Sequence, residues 1–434
     1  MVRDIFSAAD MEQLHGNIAI GHVRYPTVGG GADEDAQPFY INYPFGVGMA
    51  HNGNLTNWVD LKSRKFPDAN ICLASSCDVE AILYAFAMGV QRTLKSEPLA
   101  ERVRAGVASA FEHAKGAYSV VGILSDGAIF GFRDPYGIKP CILGRRDTPQ
   151  GTEWAIASES VAFDVLGFER ERDLKNGEAV VIVPGEAPIF VEVHRERHMP
   201  CIFELVYFAR PDSFLDTISV YKARQRFGEA LAAQWQESGA PLPDAVIPIP
   251  DSGRDAALAA ALALGVPYRE GFIKNRYIGR TFIMSNQAQR KSSIKRKLNP
   301  IPIEFEGRDV LLVDDSIVRG NTSRKIIETA RRAGARRVYF ATTSPPLVAP
   351  CPYGIDMATK DDFIARGKTI EQVRIEIGAD RLMYLDLERM VAAGRGKNAL
   401  VKEFCTGCFT GKYPTPDADE HLAALSAERA AMRV

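Results

Sequence analysis

The chain has 434 residues, of which 46% are hydrophobic and 25% charged, as in a soluble globular protein with two or three domains. Its net charge of -1 argues against a general nucleic-acid binder, which needs an excess of Lys and Arg to neutralise phosphates. No apolar run approaches the roughly 20 residues that span a bilayer and the first residues lack the apolar core of a signal peptide, so we expect no membrane partner and a cytoplasmic location.

The first half of the chain is predicted to be mostly β-sheet. Residues 117–124 and 128–132 resemble strands, and the intervening Ser125-Asp126-Gly127 predicts a hairpin because Gly takes positive φ readily. Helical periodicity covers about Val79 to Met88 and Ala100 to His113. Strands, then helices, then more strands predict two sheets covered by helices rather than an alternating βαβ order.

From about Asp244 onward, strands and helices alternate. A strand at 245–250, a helix at 255–264 and further strands at 310–313 and 337–342 predict a parallel sheet with helices on both faces. With a change of composition near 191–200, this order predicts domains at residues 1–196 and 197–395, followed by a C-terminal segment, 396–434.

The most informative stretch is residues 308–323. A short apolar strand, Val310 to Val313, leads to the adjacent carboxylates of Asp314 and Asp315, and then to a Gly/Ser/Thr loop. We expect the next helix to begin near Thr322 or Ser323, whose hydroxyls can cap free amides. A helix N-terminus binds phosphate, and paired acids suit ribose hydroxyls or Mg²⁺. The stretch resembles the signature of type I phosphoribosyltransferases; the alternative is a plain strand-turn-helix with solvated acids.

A basic run lies between two strands of this predicted domain. Residues 271–300 contain no Asp or Glu and eight basic residues: Lys274, Arg276, Arg280, Arg290, Lys291, Lys295, Arg296 and Lys297. Such runs are usually solvated faces. Here we favour a loop that closes over a pyrophosphate, because charge-assisted contacts to phosphate are strong once water is excluded.

Seven cysteines, an odd number, do not indicate a disulfide framework in a long chain without a signal peptide. Cys405 and Cys408 form a Cys-x-x-Cys pair, while Cys201 and Cys351 are remote single cysteines. A redox pair, structural zinc or an iron–sulfur cluster would all fit, and spacing alone does not decide between them.

Taken together, these motifs resemble those of the amidophosphoribosyltransferase family over nearly the whole chain. The resemblance includes residues 248–252, 274–283 and 295–300 and, in the first half, Gly21 to Thr27 and His51 to Leu55. It implies α/β and α+β folds: an αββα sandwich of a class II glutaminase, then a type I phosphoribosyltransferase domain with a parallel sheet.

For the glutaminase half, the resemblance assigns Arg24 to the glutamine carboxylate, which its planar fork suits. Asn52 and the Gly53 amide would form the oxyanion hole, and Asp78 would hold the substrate ammonium. An ordinary Asn-Gly turn is the alternative for Asn52-Gly53, and both can be true.

For the second half, the resemblance places Mg²⁺ near Ser252, Asp314 and Asp315. Phosphates would be bound by the basic residues Lys274 and Arg280 and by the loop that carries Ser316, Arg319, Gly320, Thr322 and Ser323. Asn321 replaces the Thr that is more usual in this loop.

One branch of the family holds a [4Fe–4S] cluster by cysteines in the contexts of Cys201, Cys351, Cys405 and Cys408. The resemblance therefore implies such a cluster. It leaves Cys72, Cys77 and Cys141, which we expect to be ordinary buried thiols.

The family's nucleophile, an N-terminal cysteine whose own amine is the base, has no counterpart in this sequence. Either a leading segment is missing or the chain is a natural truncation, and the retained Arg24, Asn52 and Asp78 favour a missing segment. As written, we expect the chain to use free ammonia and not to hydrolyse glutamine.

The resemblance implies an enzyme that opens purine (IMP) biosynthesis: ammonia or glutamine nitrogen replaces the pyrophosphate of phosphoribosyl pyrophosphate, giving phosphoribosylamine. It also implies a homotetramer and feedback inhibition by purine nucleotides. A non-catalytic regulator that senses phosphoribosyl pyrophosphate is the alternative, although no DNA-binding helix-turn-helix is evident. Other class II amidotransferases share only the first half and lack the Asp314-Asp315 loop.

Overall fold

The computed structural model describes residues 6–23, 33–274, 298–355, 357 and 362–431. Arg24, Arg280 and most of the basic run therefore lie outside the described residues. The chain divides into two compact units. Unit 1 comprises Met1–Pro200, Cys351–Asp356 and Tyr413–Val434, and unit 2 comprises Cys201–Pro350 and Met357–Lys412. Within the described ranges, no helix is long and apolar enough to cross a membrane.

Unit 1 contains two antiparallel sheets. Their strands are β1 (Phe39–Ile41), β2 (Val47–Leu55), β3 (Gly116–Leu124), β4 (Ile129–Arg133), β5 (Ile142–Thr148), β6 (Gly151–Ala157), β7 (Glu169–Asp173), β8 (Glu178–Ile182) and β9 (Ile189–Glu192). Six of them form a sheet in the order β1-β2-β3-β4-β8-β9, and the other three form a sheet in the order β6-β5-β7.

The first part of unit 1 also contains short and long helices: α1 (Ala8–Glu12), α2 (Trp58–Asp60), α3 (Phe66–Asp68), α4 (Val79–Gln91), α5 (Leu99–His113) and α6 (Val161–Leu166), with a 3-10 turn at Asp33–Asp35 and a π-helical turn at Leu61–Lys65. The predicted hairpin is confirmed, since Gly127 takes φ +88° and its N–H donates to the Leu124 carbonyl. The two predicted helices are confirmed as α4, which extends three residues beyond the predicted end, and α5, which begins one residue earlier than expected.

The layers of unit 1 follow from its apolar side chains. Helices α4 and α5 cover one face of the six-stranded sheet, where the rings of Phe86 and Phe130 stack 4.8 Å apart. The three-stranded sheet contributes Leu143 to a second core with Val180 of the larger sheet. Phe163 of α6 lies close to Gly144 on β5. The two predicted sheets and their helical cover are thus present.

Unit 2 is built around a parallel sheet. Its strands are β10 (Phe214–Leu215), β11 (Ile218–Ser219), β12 (Ala245–Pro248), β13 (Phe272–Lys274), β14 (Leu298–Pro300), β15 (Asp309–Asp314), β16 (Arg337–Thr342) and β17 (Arg381–Tyr384). Its helices are α7 (Val220–Glu237), α8 (Arg254–Leu264), α9 (Asn321–Arg332), α10 (Ile370–Ile377), α11 (Leu387–Arg395) and α12 (Gly407–Thr410), with a π-helical turn at Glu204–Phe208 and a 3-10 turn at Pro302–Glu304.

The predicted parallel sheet is confirmed, with strand order β12-β15-β16-β17. Residues 310–313 of β15 are at most 1% exposed, as expected for a strand covered on both faces. The predicted start of α9 is wrong by one or two residues. The helix begins at Asn321 and its N-cap is Gly320 at φ +73°, with no capping side chain.

The final part of unit 1 contains α13 (Ala418–Ala431). Ala418 and Leu422 are buried, and the hydroxyl of Tyr353 lies 2.9 Å from the Thr415 hydroxyl. The 351–355 loop and the C-terminal segment of unit 1 therefore pack on each other, although about 60 residues separate them in sequence.

Candidate active site

The acid pair lies at the carboxyl end of β15. Parallel pairing of Pro248 with Val313 brings the turn after β12 to the same edge of the sheet. In that turn, the Ser252 hydroxyl donates to Asp315 Oδ2 at 2.5 Å, and the Ser316 hydroxyl donates to Asp315 Oδ1 at 2.5 Å. The predicted neighbours Ser252, Asp314 and Asp315 thus meet where ligands of parallel α/β sheets bind.

Burial and mutual repulsion disfavour two negative charges in this pair, so a bound cation would stabilise the ionised form. Burial, followed by the neighbouring charge of Asp315, raises the pKa of Asp314 well above its usual value. Burial also raises the pKa of Asp315, although the hydroxyls of Ser252 and Ser316 oppose it. A hard divalent cation would relieve this repulsion, and Mg²⁺ commonly binds through one or two carboxylates plus substrate oxygens. The residues present fit such an ion.

The loop from Ser316 to Ser323 leads from the acids to the first amides of α9. Because no side chain caps α9, its free N–H groups can bind an anion. Ser323 is buried and Thr322 is exposed. The left-handed Gly320 packs against Ile364, since an added Cβ would lie 2.2 Å from Ile364 Cδ1. A left-handed glycine followed by uncapped helix amides is an arrangement that can bind a phosphate.

A segment far downstream supports this loop. Ile364 N–H donates to the Val318 carbonyl at 2.9 Å, and Arg319 pairs with Asp362 at 3.0 Å. Sequence reasoning missed Asp362 and Ile364, because no local motif marks residues that contact a loop some 40 positions earlier in the chain.

Lys274, at the end of β13, is held by an acid of the turn after β12. Its Nζ lies 2.6 Å from Asp251 Oδ2, and Arg254 Nη1 lies 3.6 Å from Asp251 Oδ1. Asp251 was not among the predicted site residues, although it directly precedes Ser252. Two basic groups therefore stand beside the turn that faces the acid pair.

In unit 1, the expected oxyanion residues lie on β2. Asn52 is paired with Ser119 and Gly53 with Tyr118 of β3. Gly53 has φ +150°, and a Cβ there would lie 2.0 Å from the Ala117 carbonyl oxygen. Only glycine fits at this position. Because both residues are paired with β3, the Asn-Gly pair lies within a strand and does not form a simple turn.

Asp78 is buried directly beside this strand. Its Oδ2 accepts the Leu55 N–H at 2.8 Å and its Oδ1 lies 3.2 Å from His51 Nε2. Burial acts to raise the pKa of Asp78, but His51 and the Leu55 amide outweigh it, so the pKa lies below its usual value. His51, which sequence reasoning did not assign, thus helps to keep a carboxylate ionised in the candidate glutamine site. Gln37 Oε1 accepts the backbone N–H of His51 at 2.8 Å.

Three of the four expected cluster cysteines, Cys201, Cys405 and Cys408, lie in unit 2. Cys201 and Cys405 form a parallel β-bridge, and the N–H groups of Val348 and Ala349 donate to the Cys408 carbonyl at 3.0 and 3.2 Å. All three cysteines are buried, and cysteine is a ligand type that suits an iron–sulfur cluster or zinc. Among the described residues, no group of three or more His, Cys, Asp or Glu side chains is already arranged around a metal position.

The remaining cysteines differ from the prediction in one respect. Cys77 and Cys141 are buried as expected, whereas Cys72 is exposed, so the prediction for Cys72 was wrong. Burial raises the pKa of Cys141 to about 12. A thiol with that pKa stays protonated near neutral pH and is a poor metal ligand.

The parallel sheet, the acid pair at its edge and the amide-lined loop define a phosphoribosyltransferase, joined here to an αββα unit of the glutaminase type. The comparisons agree: residues 219–345 match the model of the phosphoribosyl transferase domain, and residues 23–165 match that of a glutamine amidotransferase domain.

Relatives define the particular family. The chain is 47% identical to an amidophosphoribosyltransferase of Pseudomonas aeruginosa over 97% of this chain and 84% of the relative. It is 45% identical to that of Escherichia coli, with the same coverage. The solved glutamine phosphoribosylpyrophosphate amidotransferase of B. subtilis, complexed with ADP and GMP, superposes with a TM-score of 0.78 at 36% identity, over 91% of this chain and 82% of that one. The chain belongs to the amidophosphoribosyltransferase family.

Proposed function

We propose that the protein makes 5-phosphoribosylamine and pyrophosphate from phosphoribosyl pyrophosphate and ammonia, which comes from glutamine or from solution. This is the first committed step of purine (IMP) biosynthesis. The observation that carries the proposal is the Asp314-Asp315 pair, bonded to Ser252 and followed by the uncapped N-terminus of α9. Membership of the family supports it.

The reaction is a substitution at C1 of the ribose. The ammonia lone pair forms the new C1–N bond while the C1–O bond to pyrophosphate breaks, and the leaving group takes the bonding electrons. Positive charge then develops at C1 and the ring oxygen. The carboxylates of Asp314 and Asp315 would hold the ribose hydroxyls close to that charge and stabilise it. One proton leaves the new ammonium group to give the neutral amine.

Phosphate groups at both ends of the substrate would fix its position. The loop that carries Ser316, Arg319, Gly320, Thr322 and Ser323 would bind the 5′-phosphate through its amides. Lys274 and Arg280 would bind the pyrophosphate. Ser252, Asp314 and Asp315 would hold Mg²⁺, which, when bound, offsets charge on the departing pyrophosphate.

In unit 1, we assign glutamine binding to Arg24 and Asp78, and the oxyanion hole to Asn52 and the Gly53 amide. The low pKa of Asp78 supports its role, because an ionised carboxylate is needed to hold the substrate ammonium. We further assign a [4Fe–4S] cluster to Cys201, Cys351, Cys405 and Cys408. A cytoplasmic homotetramer that purine nucleotides inhibit completes the proposal.

The acid pair provides the test. Asp314→Asn and Asp315→Asn should each lower ammonia-dependent pyrophosphate release by at least about 100-fold, because either change removes charge that faces the ribose. Asp386→Asn, a change at an exposed acid of unit 2, is the matched control and should keep wild-type activity. Wild-type protein that binds phosphoribosyl pyrophosphate but releases no pyrophosphate with ammonia and Mg²⁺ would instead indicate a sensor.

A further inference from the structure

The end of β2 is held by parts of the chain that are remote in sequence. Asn54 and Thr56, which follow the oxyanion residues Asn52 and Gly53, both contact the last part of unit 1. We call residues 351–355 and 413–422 together the brace. Leu55, between the two contacts, donates its N–H to Asp78. The strand end is thus held by the brace and, through Leu55, by the candidate glutamine site.

The Asn54 side chain makes the first contact. Asn54 is 5% exposed; its Nδ2 donates to the Pro352 carbonyl at 2.9 Å and lies 3.4 Å from His421 Nε2. Burial lowers the pKa of His421, which favours the neutral ring. A neutral imidazole nitrogen can accept a hydrogen bond from the amide.

Thr56 makes the second contact. Its hydroxyl donates to Asp417 Oδ2 at 2.6 Å, and Thr56 is 5% exposed. A hydrogen bond to a charged acceptor is stronger than one between neutral groups. Because Asp417 directly precedes α13, this bond attaches the start of that helix to the end of β2.

Direct backbone packing makes the third contact. A Cβ added to Gly354 would lie 2.9 Å from the Gly53 carbonyl oxygen, so the 351–355 loop touches the oxyanion glycine itself. Tyr353 fixes this loop within the brace. It is 2% exposed, its ring packs edge-on against Tyr413 at 6.1 Å, and its hydroxyl accepts the Thr415 N–H at 3.1 Å.

We propose that the brace positions the oxyanion hole, and that Asn54 and Thr56 are positioning residues of the glutamine site. Strand ends are prone to local opening, and β2 ends two residues after Gly53. Oxyanion donors act only when they are held within about 0.5 Å of the productive geometry. The brace supplies that restraint from the far end of the chain. This inference rests on the proposed role of Asn52 and Gly53.

Thr56 gives a sharp test, because Thr56→Val keeps the shape of the side chain and removes the hydroxyl, while Thr56→Ser restores it. In Thr56→Val we expect the amides of residues 52–56 to exchange hydrogen about tenfold faster, and glutamine to bind about threefold to tenfold more weakly by calorimetry. Thr56→Ser and the control Lys95→Ala, at an exposed position of unit 1 outside the brace, should match the wild type.

Several outcomes would overturn the inference: unchanged exchange in Thr56→Val, no recovery in Thr56→Ser, faster exchange spread evenly over β1 to β4, or wild-type protein that binds no glutamine. Ammonia-dependent pyrophosphate release, measured on the same samples, should stay within about twofold of wild type. Its absence from every sample would refute the proposed function, whereas the exchange pattern would still report on the brace.

Discussion

At the scale of single residues, the pKa of a buried carboxyl group depends on its neighbours. Asp78 and the pair at the end of β15 are all removed from water, yet the pKa of Asp78 is lowered while that of Asp314 is raised. The difference arises because Asp78 faces His51 and a backbone N–H, whereas Asp314 faces another acid. The first carboxylate suits binding of a substrate ammonium, and the second suits binding of a metal ion.

His51→Ala should therefore destabilise unit 1 by about 3 kcal/mol, because it leaves a buried carboxylate without its partner. Because folding lowers the pKa of Asp78, its ionised form stabilises the fold above the unfolded-state value of about 3.9, and this contribution disappears as pH falls through the folded-state pKa. In the variant the pKa of Asp78 rises, so stability should decline from a higher pH.

Calorimetric unfolding of wild type and His51→Ala between about pH 4 and pH 7 measures this shift. His113→Ala, a change at a partly exposed histidine of α5, serves as the control. Parallel stability curves for wild type and His51→Ala across that range would contradict the assigned pairing.

The sequence was informative wherever chemistry is encoded locally. It predicted that Asp314 and Asp315 would lie at the carboxyl end of a buried strand, where ligands of parallel sheets bind, whereas Ser252 was placed beside them only by the family resemblance. It gave no sign of the His51 contact with Asp78 or of Lys274 with Asp251, since these pairs join residues more than 20 positions apart. The catalytic roles of all these residues remain predictions.

At the scale of elements, the loop between β15 and α9 shows where local rules stop. Thr322 and Ser323 are good capping residues in isolation, yet α9 starts earlier, behind the left-handed Gly320. Contact with Ile364 leaves room only for glycine at this position. The tertiary contact therefore sets the start of the helix and leaves its amides free.

Gly320→Ala should cost more than backbone strain alone. A left-handed alanine costs about 1–2 kcal/mol, and here the added Cβ would also collide with Ile364. Gly265→Ala, at a similar φ of +69° but with no atom within 4 Å, isolates the backbone cost.

We expect Gly320→Ala to raise the KM for phosphoribosyl pyrophosphate about tenfold and to lower stability more than Gly265→Ala, which should keep the wild-type KM. Steady-state kinetics and thermal unfolding of both variants measure this. Equal KM values for the two would show that the loop does not depend on the Ile364 contact.

At the scale of the whole molecule, the candidate glutamine site and the candidate phosphoribosyl site lie in different units, so we expect a change in one to spare the other. Asn52→Ala should weaken glutamine binding and leave ammonia-dependent pyrophosphate release within about twofold of wild type. Asp314→Asn should lower pyrophosphate release and leave glutamine binding unchanged, because the two residues belong to candidate sites in different units. Calorimetry with glutamine and a pyrophosphate assay measure both. Loss of both activities in either variant would show that the units do not act independently.

The cysteines give a second prediction at this scale. Anaerobically reconstituted protein should contain about four iron and four sulfide per chain, and Cys405→Ser should lose them. Cys141→Ser should retain the cluster, because burial raises the pKa of that thiol to about 12 and keeps it protonated. Metal and sulfide analysis decides the matter, and stoichiometric zinc without sulfide would refute the cluster.

The backbone contact between Gly53 and Gly354 limits the substitutions that the two positions can accept. Both residues have positive φ; a side chain on Gly354 would collide with the Gly53 backbone, and one on Gly53 would collide with Ala117 and Tyr118 of β3. A saturation scan scored on glutamine binding should find both positions intolerant of every replacement, and no second change at the partner should rescue the first. The two glycines, some 300 residues apart, would then have to be inherited together.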